Sequence, residues 1–270
     1  MILKNILYAG IFIYLFLVIL LYFFNARLIF FPDKNLYTTP ADSGMQYEDA
    51  EIITKDGVRL HGWYVTNDST DATIIYCHGN AGNISGRVDI LKILHDLKIN
   101  VLMFDYRGYG RSEGSPSEDG TYRDVEAAWR YITAEKGIPR EKVILYGRSL
   151  GGPIAAFCAS RFNPGGLILH GTFTSVPDVA ETIYPKFLVK ILPAFIKYPT
   201  GRYLNETVCP VLVIHSSEDT LIPFKFGTEL YELAPNEKSF LETHGTHNDD
   251  IFMSEKIYKE GVKKFIDSIH

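Results

Sequence analysis

The chain has 270 residues, 46% of them hydrophobic, and a formal net charge of -5. That is enough for one substantial core and too little for two large domains. The acidic balance and the lack of a long single-sign charge run exclude a nucleic-acid-binding role, which needs concentrated Lys and Arg against phosphate. Three cysteines, Cys77, Cys158 and Cys209, cannot all pair and lie in or beside apolar stretches, so they are expected as buried thiols.

Residues 6–24 contain no Asp, Glu, Lys or Arg and are long enough to cross a bilayer as a helix, with Lys4 and Arg27 bracketing them. A cleaved signal peptide is the alternative, but no small-x-small site follows, since Phe24-Asn25-Ala26 puts a bulky residue in the wrong place. We therefore expect a single-pass membrane anchor over residues 1–27, with Tyr22, Phe23, Phe24, Phe30 and Phe31 as an interfacial belt. Lys4 and the terminal amine oppose Arg27 and Lys34 across it, a near tie that we read as N-terminus inside.

A linker over 28–45, marked by Pro32 and Pro40, leads into a catalytic domain over 46–270. Alternating β signals at 47–53 and 58–65 around Asp56-Gly57 predict a hairpin. Short apolar runs at 72–77, 101–104, 143–146, 167–169, 211–214 and 239–242 then alternate with helical periodicity at 85–97, 117–135, 151–162, 224–233 and 252–269. This is the signature of an α/β fold: a mostly parallel sheet with helices on both faces and functional groups beyond the carboxyl ends of the strands.

Gly147-Arg148-Ser149-Leu150-Gly151 follows one predicted strand and opens a helix, the setting of a nucleophile elbow. A turn tight enough to lift Ser149 above the sheet crowds its neighbours, so glycines must flank it. A serine hydroxyl needs a base, and the base a carboxylate to fix its tautomer. Asp219, after the strand at 211–214, and His247, after the last strand, complete the order Ser, Asp, His. Glu218 competes for the acid and His244 for the base. A zinc site on His244 and His247 is discounted because the pair lies in a Gly loop rather than on a helix face and no third ligand lies nearby. His61, His95 and His170 read as structural or exposed. In His78-Gly79-Asn80-Ala81-Gly82-Asn83 the glycines let backbone approach a substrate. N–H groups of Leu150 and Asn80, or Ala81 instead of Asn80, would then form an oxyanion hole. No Gly-Lys-Ser/Thr or Gly-x-Gly-x-x-Gly is present to make this loop a phosphate cradle. The run from Asp105 to Ser112 reads as a structural turn in which Asp105 holds backbone amides.

The His78 to Asn83 loop, the Asp105 to Ser112 turn, the serine elbow, Asp219 and His247-Asn248-Asp249 together resemble the α/β-hydrolase superfamily from about Tyr47 onward. The apolar N-terminus followed by Leu28-Ile29-Phe30-Phe31-Pro32 is similar to its membrane-anchored Bem-like group, relatives of protein depalmitoylases and lysophospholipid lipases. The resemblance implies an α/β-hydrolase fold and hydrolysis of esters or thioesters, as in serine esterases, lipases and thioesterases, through an acyl-enzyme and without a cofactor. The expected partners are a small-molecule or lipid-linked acyl substrate and the membrane. A serine peptidase and a non-catalytic membrane scaffold are the alternatives. The insertion at 173–203, where this fold places its cap, carries an apolar stripe including Phe187, Leu188 and Ile191. Pro193 should kink it, and the stripe is expected to form a lid lining an acyl pocket.

Overall fold

The computed structural model describes residues 2–67, 72–235 and 237–269. The most apolar 18-residue stretch of helix α1 (Ile2–Ile29) has a mean hydropathy of 2.6, and none of the helix's residues is buried against the rest of the protein. At ~1.5 Å per residue its 28 residues exceed the ~30 Å hydrocarbon thickness of a bilayer. It is the one described helix long and apolar enough to cross a membrane. It continues two residues past the expected anchor.

The strands are β1 (Glu48–Ile53), β2 (Arg59–Val65), β3 (Thr73–Cys77), β4 (Asn100–Phe104), β5 (Val143–Arg148), β6 (Gly166–His170), β7 (Val211–Ser216) and β8 (Lys238–Thr243). They form one eight-stranded sheet in the order β1-β2-β4-β3-β5-β6-β7-β8. The β1–β2 hairpin and the β2–β4 pair are antiparallel, and every other pair is parallel. The Asp56-Gly57 turn works as its sequence suggests: Gly57 takes φ +80 and its N–H donates to Thr54 O at 3.0 Å.

The helices are α2 (Val88–Asp96), α3 (Glu118–Arg130), α4 (Gly151–Phe162), α5 (Val176–Ile183), α6 (Lys186–Ile191), α7 (Thr200–Asn205), α8 (Lys225–Leu233), α9 (Asp250–Met253) and α10 (Glu255–Ile269). The helix expected at 85–97 begins instead with a 3-10 turn, Ile84–Arg87, whose N-cap Asn83 accepts from Ser85 N. The helix expected at 252–269 breaks at Ser254 because its hydroxyl is committed to the backbone of His244, accepting from N at 2.8 Å and donating to O at 3.1 Å.

Side-chain alternation builds a core on each face of the sheet. Ile75, Cys77 and Leu145 join the cluster with α3 and α4, while Ile74, Tyr76, Ile144 and Tyr146 join the one with α2 and α10. All three cysteines are free and buried. Burial pushes the Cys77 thiol far up and that of Cys209 up to about 12, which disfavours the thiolate at both.

Candidate active site

Ser149 sits between β5 and α4 with φ +51, a left-handed conformation that costs a side-chain-bearing residue about 1–3 kcal/mol and is held here by its surroundings. Its N–H donates to His170 O at 2.9 Å, and its carbonyl accepts from Gly152 N at 2.9 Å and Thr172 Oγ1 at 2.7 Å. A Cβ on Gly147 would lie 2.4 Å from Gly151 O, and one on Gly151 would lie 1.9 Å from Cys77 O. Both contacts are with backbone that cannot move aside, which is why the flanking residues are glycine.

The loops after β7 and β8 bring the other two residues to it. His247 Nδ1–H donates to Asp219 Oδ2 at 2.6 Å, and the Ser149 hydroxyl lies 3.0 Å from His247 Nε2. Asp219 Oδ1 accepts from Leu221 N at 2.9 Å and Ile222 N at 2.8 Å, so its carboxylate is fixed at both oxygens. Burial pushes the Asp219 carboxyl up, but the His247 hydrogen bond and charge together with the Ile222 amide outweigh it and leave the group below the ordinary carboxylate value. The competitors are elsewhere: Glu218 is exposed and accepts from Gly245 N, and exposed His244 lies against Ser217.

The loop after β3 forms the facing wall. Gly79 lies against Ser149, and the N–H groups of Leu150 and Asn80 donate to no other described residue. His78 is wholly buried, its Nδ1–H donating to Gly79 O at 2.7 Å, and burial drives its pKa down to about 3. Asp105 holds one amide, Ile84 N at 2.9 Å, rather than several. Its other oxygen has no hydrogen-bond partner among the described residues, and burial pushes the carboxyl up to about 7. A pocket of about 530 Å³ opens over Ser149 and His247, lined also by Asn80, Arg87, Leu221 and Phe252.

Residues 72–208 match the family described as alpha/beta hydrolase fold. The chain is 31% identical over 243 residues to an uncharacterized protein of Mycobacterium tuberculosis, covering 89% of this chain and 86% of that one. It is 34% identical to an uncharacterized membrane protein of Saccharomyces cerevisiae (86% and 85% covered), and 32% to the alpha/beta hydrolase domain-containing protein WAV2 of Arabidopsis thaliana (93% and 90%). This chain belongs to the alpha/beta hydrolase family. Among solved structures it resembles a Pyrococcus furiosus esterase, with a TM-score of 0.75 at 22% identity, covering 89% of this chain and 97% of that one. An esterase domain from Rhodothermus marinus gives 0.60 at 19% (82% and 100%).

In this alpha/beta hydrolase, Phe187, Leu188 and Ile191 do not line the Ser149 pocket, contrary to expectation. Pro185 and Pro193 confine them to the short α6, where Phe187 and Ile191 are exposed. That segment is held instead to α1, by Tyr14 Oη–H donating to Ile191 O at 3.0 Å and by Tyr22 meeting Phe195 edge-on at 5.3 Å.

What the sequence reading missed is a buried polar cluster under the elbow. Arg148 donates through Nη2 to His247 O and, at 3.0 Å, to Asp250 Oδ1. His170 Nε2 lies 2.6 Å from Asp250 Oδ2 and 2.9 Å from Arg148 Nη1, and its Nδ1 lies 2.6 Å from the Tyr146 hydroxyl. Neutral His170 meets the two shorter contacts by donating to Asp250 and accepting from Tyr146, and Arg148 is met by Asp250 and the His247 carbonyl. The available signal was Arg148 itself, since an arginine at the end of an apolar strand must find a buried acceptor. Arg148→Leu removes the donor to Asp250 Oδ1 and to the His247 carbonyl and leaves a buried carboxylate without its cation. It is expected to lower stability by about 3–5 kcal/mol, measured by denaturant unfolding in detergent.

Burial also holds the His170 imidazole down to about 4, outweighing the neighbouring Asp250. The unfolded chain takes up that proton near the ordinary histidine value of about 6.5. Unfolded chains therefore bind more protons between these values, and the stability supplied by neutral His170 is present above about 6.5 and lost as pH falls towards about 4. On acidification from about pH 7 to about pH 5, wild type should lose about 2 kcal/mol more stability than His170→Gln. Parallel unfolding curves at the two pH values test this.

Proposed function

We propose that this protein is a membrane-anchored serine hydrolase that cleaves carboxylic ester or thioester bonds of acyl, lipid-like substrates. The single observation that carries the reading is the continuous chain Asp219 Oδ2, His247, Ser149 Oγ with spacings of 2.6 and 3.0 Å. Ionised Asp219 fixes the proton of His247 on Nδ1, leaving Nε2 to take the Ser149 proton as the oxygen attacks an acyl carbon. The free N–H groups of Leu150 and Asn80 face the developing oxyanion, and protonated His247 then hands its proton to the leaving alcohol or thiol. Water repeats the sequence on the acyl-enzyme.

Leu221 and Phe252 give the pocket apolar surface for an acyl chain. The sequence resemblance to the Bem-like group, the apolar α1 and the yeast relative described as a membrane protein support anchoring. Lys4 and the terminal amine nearly balance Arg27 and Lys34, and our reading of the topology is N-terminus inside.

The test is labelling of the full chain in detergent micelles with a fluorophosphonate probe, followed by a panel of short and long acyl esters, thioesters and peptide amides. Labelling together with ester or thioester turnover is expected. Folded protein that takes no label would sink the enzyme reading and favour a scaffold, and amide turnover alone would favour a peptidase.

A further inference from the structure

The segment leaving α1 is not the plain linker its prolines suggest. Asn80 Nδ2 donates to Ile29 O at 2.5 Å, and Asn80 Oδ1 accepts from Phe31 N at 3.1 Å and from the Tyr109 hydroxyl at 3.0 Å. Gly82 N then donates to Phe31 O, and Asp33 N to Gly82 O, each at 3.0 Å, closing a bridge between Pro32 and Gly82. Asn83 Nδ2 reaches Asp33 O at 3.0 Å and Asn35 O at 2.6 Å. Phe30 is buried at 3% exposure beside Tyr198, which pins the segment to the domain. Meanwhile the loop it grips, Gly79-Asn80-Ala81-Gly82, is built of small residues with little packing surface of their own. His78 and Arg87 hold the Gly79 and Ala81 carbonyls, and the bonds that fix the Asn80 side chain and Gly82 come from the segment leaving α1 and from Tyr109.

We propose that residues 29–35 are a structural part of the oxyanion loop, and that the Asn80 side chain is the positioning residue that joins them. The proposal rests on the serine-hydrolase reading above. The grip of the Asn80 side chain on the end of α1 sets where its own N–H meets an oxyanion, so the anchor and the reacting centre share one hydrogen-bonded unit. An oxyanion donor acts on the transition state and not on bound substrate. Its displacement therefore lowers kcat and leaves KM alone, and a shift on the order of 1 Å is worth about a hundredfold.

The experiment uses the full chain in detergent micelles, a soluble short-chain ester so that membrane partitioning plays no part, and a trifluoromethyl ketone as the probe that places an oxyanion in the hole. Asn80→Ala should lower kcat about 10- to 100-fold with KM within about twofold, and weaken the ketone by the same factor. Tyr109→Phe, which removes one of the three bonds, should lower kcat severalfold by itself and add nothing in the Asn80→Ala background. Amide hydrogen exchange over residues 79–83 should rise in both variants. The clamp is refuted if Asn80→Ala keeps kcat within twofold. It is equally refuted if ketone affinity does not follow kcat, or if exchange at 79–83 is unchanged. A wild type that neither turns over the ester nor binds the ketone sinks the underlying hydrolase reading, an outcome distinct from failure in the variants alone.

Discussion

Ser149→Ala is expected to lower ester hydrolysis by roughly 10⁴- to 10⁶-fold and to abolish fluorophosphonate labelling, with the fold intact. Alanine keeps the Cβ, so the strained backbone at φ +51 is unaltered. The hydroxyl has His247 Nε2 as its hydrogen-bond partner, and no structural contact is lost with it. In the proposed mechanism the substrate carbonyl oxygen still meets the Leu150 and Asn80 N–H groups, which is why some rate over water should remain. Retention of a tenth of wild-type activity by purified Ser149→Ala would remove Ser149 from the chemistry.

Asp219→Asn should cost about 10³- to 10⁴-fold in kcat for a different reason. The Oδ1 position can still accept from Leu221 N and Ile222 N, so the loop keeps its shape. The atom facing His247 Nδ1 becomes an NH2 donor, however, and turns that nitrogen into an acceptor. The imidazole then carries its proton on Nε2, where it points at Ser149 and cannot accept from it. Glu218→Gln, in a side chain exposed to solvent, should stay within about twofold of wild type. Steady-state kinetics on the two variants separates the neighbouring carboxylates, and the reverse result would exchange their roles.

The parts legible in the sequence were those governed by short-range rules. Strand runs, the Asp56-Gly57 turn and the glycines beside Ser149 follow from periodicity and sterics within a few residues, and the observed strands begin and end within two residues of expectation. The meeting of Ser149, Asp219 and His247 was readable because parallel strands deliver their carboxyl ends to one edge. What escaped depends on contacts between distant segments. Arg148 and Asp250 are 102 positions apart and Asn80 and Phe31 are 49 apart, and nothing local marks either pair. The lid failed for a related reason. An apolar stripe identifies a face that needs covering, not what covers it, and Pro185 divides a segment whose break was expected at Pro193 alone.

Because every cysteine is buried with no disulfide, the native surface offers nothing to thiol-specific reagents. A single cysteine introduced at Val208, which is 72% exposed in the loop before β7, would be the one site a membrane-impermeant maleimide could reach. Whether intact cells or only opened ones take up the reagent then reports which compartment holds the catalytic domain. The packing of three ordinary core residues thus makes the membrane topology, on which the flanking lysines and arginines nearly tie, directly measurable.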